Sequence, residues 1–249
     1  MATVELLHLV GAVDAIGPVQ FTLARPAGPE FELQIAPAAP AAAVTLSSMY
    51  DVLPIPAMLY RKQLQKNYWF EYLPASRALY IQYNRCQEDP ALPFTEFARQ
   101  VFAAAEAARV ERTIVDLRLN AGGNSRVIEP LLTGLKARPA LIARDRLLAL
   151  VGRSTFSSGL MAAISLKKDL NAVLIGEPTG EKPNSYGEVR QLTLPHSRLS
   201  VSYTTKFFRL SSDGDPVALF PDVTVTRSLA DVLAGRDPVF DAALRHAPR

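Results

Sequence analysis

The sequence has few of the residues that build disulfides and metal sites. It contains one cysteine, Cys86, and three histidines in 249 residues. A single cysteine excludes an internal disulfide framework and a multi-cysteine metal site. The histidines, at positions 8, 196 and 246, have no spacing that would chelate zinc from one element. We therefore expect neither a metal nor a cofactor.

Long apolar runs and basic stripes are also missing. No apolar run reaches the roughly 18 residues of a membrane-spanning helix, so no transmembrane segment is expected. The net charge is +3, but lysines and arginines are scattered, which argues against nucleic acid as a partner. The start, MATVELLHLVGAVDA, lacks a basic leader and is not a secretory signal. As written, the chain is expected in the cytoplasm, or in the periplasm or outside the cell if a leader was removed.

The composition, with 49% hydrophobic and 20% charged residues, is that of a chain that folds. Residues 1–67 are predicted to form an N-terminal extension with two β-like pieces, VQFTLARP and FELQIAP, and a Pro/Ala-rich loop, APAAPAAAV. Residues 68–249 are predicted to form the core domain.

The core alternates strand-like and helix-like segments at short spacing. Apolar runs such as TIVDL, RLLALVG and NAVLIG predict strands, and the amphipathic segments between them predict helices. One of these helices contains Pro130, which predicts a kink. Such alternation indicates an α/β fold with parallel strands and covering helices. The later segment SYTTKFF predicts a strand whose aromatic residues cover the sheet.

Three loops leave apolar strands in the same direction, at residues 119–124, 152–159 and 176–187. Ligands bind outside the carboxyl ends of strands in open α/β sheets, so we expect these loops to converge. In the first loop, Gly122 and Gly123 can turn backbone N–H groups outward toward an oxyanion, or simply form a tight turn.

The second loop carries four hydroxyls in RSTFSSG, just before a predicted helix. One of them is expected to cap the helix, and another is a candidate nucleophile. A serine needs a base to take its proton. The candidates are His196, in LPHSR, and Lys182 in the third loop, which would act if desolvated.

The motifs VDLRLNAGGN, STFSSG, VLIGEPTG and FPDVTV follow one another in that order. In this order they resemble those of the tail-specific (C-terminal processing) proteases and their tricorn-core relatives, over about residues 68–245. The resemblance implies a crotonase/Clp-protease-like superhelix of ββα units. No PDZ domain can be placed, so the chain is most similar to a PDZ-less branch of that superfamily.

The resemblance also implies roles for particular residues. Aligned on GEPT, it makes Ser157 the nucleophile and Lys182 the general base, with oxyanion donors from Ser158 and from Gly122 or Gly123. The chain departs from the family pattern after the lysine, where Tyr186 stands in place of a glutamine that orients the base. Tyr186 and Glu188 are candidates for that orienting role.

Three interpretations follow from the sequence. The first is a serine peptidase that acts on a peptide or protein substrate. The second is a non-catalytic relative that binds a peptide or an apolar ligand in the same crevice. The third is an enzyme of another class on the same sheet, or a hydrolase that uses His196. The sequence leaves the oligomeric state open.

Overall fold

A computed structural model describes residues 4–24, 28–37, 48–212 and 214–246. Its helices are α1 (Val4–Leu9), α2 (Met49–Val52), α3 (Phe94–Ala107), α4 (Glu129–Lys136), α5 (Pro139–Ile142), α6 (Ser158–Leu170), α7 (Leu229–Leu233) and α8 (Pro238–Arg245). Its strands are β1 (Val19–Ala24), β2 (Glu30–Ile35), β3 (Tyr68–Leu73), β4 (Ala78–Tyr83), β5 (Arg112–Asp116), β6 (Leu147–Val151), β7 (Val173–Gly176), β8 (Asn184–Thr193), β9 (Ser200–Arg209) and β10 (Val223–Thr224). Two 3₁₀ helices span Leu59–Arg61 and Ser125–Ile128.

The contacts divide the chain into two units, Met1–Leu53 and Pro54–Arg249. The first unit contains α1, α2 and an antiparallel hairpin of β1 and β2. The two predicted β-like pieces are therefore strands. Most of the Pro/Ala-rich loop lies outside the described residues. The predicted domain boundary at residue 67 stays a prediction. The boundary between the two units lies after Leu53, and the second unit includes the buried residues Met58 and Tyr60.

The second unit is built on a six-stranded sheet with the order β10-β7-β6-β5-β4-β3. All neighbouring strands are parallel except β3, which pairs antiparallel with β4. Buried side chains of α3, α4 and α6 pack on one face of this sheet, and α8 packs on the other. The expected α/β fold with a mostly parallel sheet is therefore confirmed. Its central apolar strands are buried on both faces, as is typical of parallel sheets.

The kink at Pro130 stays a prediction; the proline lies in the first turn of α4, directly after the 3₁₀ helix Ser125–Ile128, where a proline costs no intrahelical hydrogen bond. One local prediction is wrong. The aromatic residues of SYTTKFF do not cover the central sheet. They belong to β9, which among the described strands pairs with β8 alone, in a separate hairpin that is largely exposed.

Candidate functional site

The three loops that follow β5, β6 and β7 meet at the carboxyl edge of the sheet. A β-carbon on Gly122, in the first loop, would lie 2.7 Å from the β-carbon of Ser157 in the second. The Ser157 N–H donates to Oε2 of Glu181, in the third loop, at 2.5 Å. The convergence predicted from the sequence is confirmed, since three adjacent parallel strands place their following loops side by side.

The clustered hydroxyls have different surroundings. Thr155 is fully buried, where its Oγ1 donates to the Leu117 carbonyl at 2.9 Å and accepts the Gly152 N–H at 3.0 Å. Ser158 Oγ donates to the Gly123 carbonyl at 2.7 Å. Ser157 occupies the position before α6 but makes no side-chain capping bond. Within the described part of the chain its Oγ has no hydrogen-bond partner. The Ser157 hydroxyl therefore has no structural role that a hydrogen bond would indicate.

Ser157 also has an unusual backbone. Its φ and ψ are 51° and −123°, a conformation that residues with a β-carbon rarely adopt. Such strain costs on the order of 1–3 kcal/mol and persists only where the surroundings enforce it. Here the Phe156 N–H is bonded to the Asn120 carbonyl at 2.9 Å, and the Ser157 carbonyl accepts from Met161 N at 3.1 Å. The strained turn presents Ser157 at the start of α6.

The glycine loop is held against Cys86. The Gly122 carbonyl accepts from Cys86 N at 3.0 Å, and Asn124 N donates to the Cys86 carbonyl at 2.6 Å. Gly122 and Gly123 have φ values of +109° and +131°, which favour glycine. A β-carbon on Gly123 would collide with the Cys86 carbonyl oxygen. Glycine is therefore favoured at both positions by the backbone conformation, and at Gly123 also by the close approach of the Cys86 carbonyl.

Glu181 is the residue at this site that the sequence analysis missed. Its carboxylate is half-buried and accepts from the Ser157 N–H and, at 2.8 Å, from Ser185 Oγ. The motif alignment pointed to the next residue, Lys182. A shift of one position separates the two, and only the tertiary structure shows which side chain reaches Ser157.

The Lys182 amine donates to Asp215 Oδ2 at 2.8 Å, and the lysine side chain is 46% exposed. In the described residues no hydrogen bond joins Lys182 to Ser157. The structure therefore brings Ser157, Ser158 and the two glycines together but leaves Lys182 in a surface ion pair. Its role as general base stays a prediction.

Tyr186 and Glu188 lie on β8, at the side of the same cavity as Ser157. Tyr186 is 65% exposed, and its ring packs edge-on against Phe207 with centroids 5.0 Å apart. Their orienting role stays a prediction too. His196 lies in the exposed turn between β8 and β9 and does not line this cavity.

The cavity beside Ser157 has a volume of about 810 Å³. One wall is the glycine loop and α6, and the opposite wall is the face of the β8–β9 hairpin that carries Ser185, Val189, Thr204, Lys206 and Phe208. The lining is mixed: both walls contribute apolar side chains, and four charged side chains also line the cavity, those of Arg126, Glu181, Glu188 and Lys206. Such a cavity can hold several residues of an extended peptide.

A buried ion-pair network lies below the carboxyl end of β5. Arg118 donates to both carboxylate oxygens of Asp116 and of Asp237, at 2.6 to 3.1 Å. Its guanidinium lies over the Tyr60 ring, 4.5 Å from the centroid. Burial works to lower the pKa of Arg118, but the two carboxylates raise it well above its usual value. These ion pairs hold the strand end before the glycine loop.

Among the described residues, no group of three or more histidine, cysteine, aspartate or glutamate side chains is arranged to hold a metal ion. None of the described helices combines the length and the hydropathy of a membrane span.

No family model and no curated protein matches the chain. Solved structures do match in fold. A candidate peptidase from Parabacteroides merdae ATCC 43184 has a TM-score of 0.50 and 15% identity over 73% of this chain. A candidate S41 protease from Bacteroides fragilis NCTC 9343 has a TM-score of 0.50 and 15% identity over 92%. Mature CPAF in complex with lactacystin has a TM-score of 0.52 and 13% identity over 93%.

The chain spans 66%, 64% and 67% of the lengths of these three solved chains, in the same order. At such low identity the similarity establishes the fold. The resemblance seen in the sequence motifs is thus confirmed at that level: the chain has the fold of S41-type peptidase structures.

Proposed function

We propose that this chain is a serine peptidase whose nucleophile is Ser157. The observation that carries the proposal is the strained backbone of Ser157, with an Oγ that no described residue binds, at the edge of an 810 Å³ cavity. Strain of this kind is retained at functional sites. The fold shared with S41-type structures supports a peptidase over other hydrolases.

In the proposed reaction, Ser157 Oγ attacks the carbonyl carbon of a peptide bond while its proton passes to a base. Backbone N–H groups of the glycine loop and of Ser158 stabilise the oxyanion of the tetrahedral intermediate. The base then protonates the leaving amine, and water hydrolyses the acyl-enzyme.

Two side chains are candidates for the base. Lys182 is the one implied by the motifs, and it would have to leave Asp215, 2.8 Å away. Glu181 already contacts Ser157, because its Oε2 accepts from the Ser157 N–H at 2.5 Å. We propose Glu181 as the proton acceptor because it is the one of the two side chains with a bond to Ser157.

The finer fold assignment belongs to the same proposal. A crotonase/Clp-protease-like superhelix of ββα units is supported by the consecutive order of β4, β5, β6 and β7 in the sheet, with α3, α4 and α6 on one face.

A fluorophosphonate probe followed by peptide mapping tests the nucleophile. We expect the wild type to be labelled at Ser157 and Ser157→Ala to be unlabelled, while the matched variant Ser154→Ala keeps full labelling. Glu181→Gln is expected to slow labelling by about 10²-fold or more, and Lys182→Met by less than threefold. The reverse order would make Lys182 the base, and a loss confined to His196→Ala would indicate a histidine-based hydrolase.

The second candidate function is peptide binding without hydrolysis. It is favoured by the pairing of Lys182 with Asp215, which leaves that amine away from Ser157. An unlabelled wild type that still binds peptides would support it and overturn the proposed peptidase.

A further inference from the structure

Four backbone N–H groups lie around Ser157, those of Gly122, Gly123, Ser157 and Ser158. Side chains already bind two of them: Asn120 Oδ1 accepts from Gly122 N at 2.9 Å, and Glu181 Oε2 accepts from Ser157 N at 2.5 Å. In the described structure the N–H groups of Gly123 and Ser158 have no hydrogen-bond partner. The two available donors therefore come from different loops.

Asn120 is fully buried and connects three segments. Its Nδ2 donates to the Tyr83 carbonyl, at the end of β4, at 2.9 Å. Its Oδ1 accepts from Gly122 N and from Cys86 Sγ, the latter at 3.3 Å. Its own carbonyl accepts from Phe156 N at 2.9 Å, immediately before the strained serine. One side chain and its backbone thus tie the glycine loop to the serine turn.

The direction of the Gly123 N–H follows from peptide geometry. The Gly122 carbonyl and the Gly123 N–H belong to one peptide unit, and in a trans peptide they point in opposite directions. Because the Gly122 carbonyl points at Cys86 N, the Gly123 N–H points away from Cys86. Asn120 fixes the preceding unit by holding the Gly122 N–H.

We infer that Asn120 is a positioning residue for the oxyanion site. Because it binds the Gly122 N–H, that group does not bind the oxyanion, and the N–H groups of Gly123 and Ser158 do. This inference rests on the proposed function. An oxyanion is stabilised most by donors that are held in place before reaction and are not shared with another acceptor. Gly123 and Ser158 meet that condition, and Gly122 does not.

The test uses ¹⁵N-labelled full-length protein and diisopropyl fluorophosphate. Ser157 Oγ would form the bond to phosphorus, fluoride would leave, and the serine proton would pass to the base. The phosphoryl oxygen then stands where the oxyanion would be. We expect the amide resonances of Gly123 and Ser158 to shift and their hydrogen exchange to slow, with Gly122 unchanged. A Gly122 shift as large as that of Gly123 would overturn the inference.

Variants separate positioning from general stability. Asn120→Ala is expected to speed amide exchange at Gly122 and to lower the rate of phosphorylation of Ser157, because the Gly123 N–H is no longer held in place. The expected decrease is about 10²-fold, as for the removal of one oxyanion donor. The matched control is Asn184→Ala, because Asn184 is also buried and its amide bonds the Gly214 carbonyl and Ser211 N, at 2.8 and 3.0 Å. We expect the control to change the rate by less than threefold.

Equal slowing in the two variants would mean a structural role alone and would overturn the inference. Asn120→Asp, which keeps the acceptor for the Gly122 N–H, is expected to retain more of the rate than Asn120→Ala; no such rescue would also count against it. A wild type that does not react overturns the proposed function itself, whereas a reactive wild type with a shifted Gly122 overturns only the inference.

Discussion

Gly122 and Ser157 are in contact across two loops, and a β-carbon on the glycine would lie 2.7 Å from the serine β-carbon. It would also lie 3.1 Å from Ser158 N and 3.2 Å from the Phe156 carbonyl oxygen. The glycine thus touches the whole serine turn. Any side chain at this position would push the turn away from the glycine loop.

Gly122→Ala is therefore expected to destabilise the protein and to abolish labelling at Ser157. The φ of +109° is unfavourable for alanine, and the crowding adds to that cost. We expect a loss of about 2 kcal/mol or more in the free energy of unfolding, measured with urea. Gly214→Ala is the matched control: its φ is +81°, but among the described residues, its chain neighbours aside, no atom lies within 4 Å of the added carbon. It should lose stability and keep labelling. Equal labelling of both variants would contradict the contact.

The buried ion-pair network gives a second prediction. Asp237→Ala removes a carboxylate that binds the buried Arg118 guanidinium at 2.7 and 2.8 Å. Arg118 keeps Asp116 as its partner in this variant, but its buried Nη1 loses its acceptor, so we expect a loss of about 1–3 kcal/mol in urea unfolding. Arg236→Ala removes the exposed partner of Asp231 and is expected to cost below about 1 kcal/mol. Similar losses in the two variants would show that burial of Arg118 is unimportant.

The pH dependence of stability gives a third prediction. Burial raises the pKa of the Cys86 thiol in the folded protein. Above pH ~8.5 the unfolded chain loses this proton while the folded protein keeps it, so stability falls as pH rises toward the folded pKa. Between pH 7.5 and 9.5 the wild type should lose up to about 1.4 kcal/mol more than Cys86→Ala, measured by urea unfolding at each pH. Parallel curves would show that Cys86 does not contribute.

The β8–β9 hairpin gives a fourth prediction, on dynamics. Its outer residues, from Val189 to Tyr203, are exposed, and within the described part of the chain they form strand pairs with each other alone. A two-stranded hairpin is marginally stable in water, so its amides should exchange much faster than those of β5 and β6 in the central sheet. Hydrogen exchange followed by mass spectrometry measures this difference. Protection equal to that of β5 would show that another surface covers the hairpin in solution.

Much of the fold was predictable from local patterns. The alternation of apolar runs with amphipathic segments predicted β5, β6, β7 and α6, because strands buried on both faces and half-buried helices need those patterns. The strand pieces in the first unit and the convergence of three loops were also predictable. The local pattern did not reveal that β8 and β9 form a hairpin outside the central sheet. An exposed hairpin and a strand that covers a sheet show the same alternation of apolar and polar residues.

The sequence by itself determined the layered α/β architecture, the glycine pair and the hydroxyl cluster, since each depends on residue type and short spacing. Only the tertiary structure decided which hydroxyl lies unbonded beside the glycine loop, which of Glu181 and Lys182 contacts Ser157, and which amides remain available. Those outcomes depend on the directions of side chains brought together from distant loops. Spacing along the chain does not record those directions.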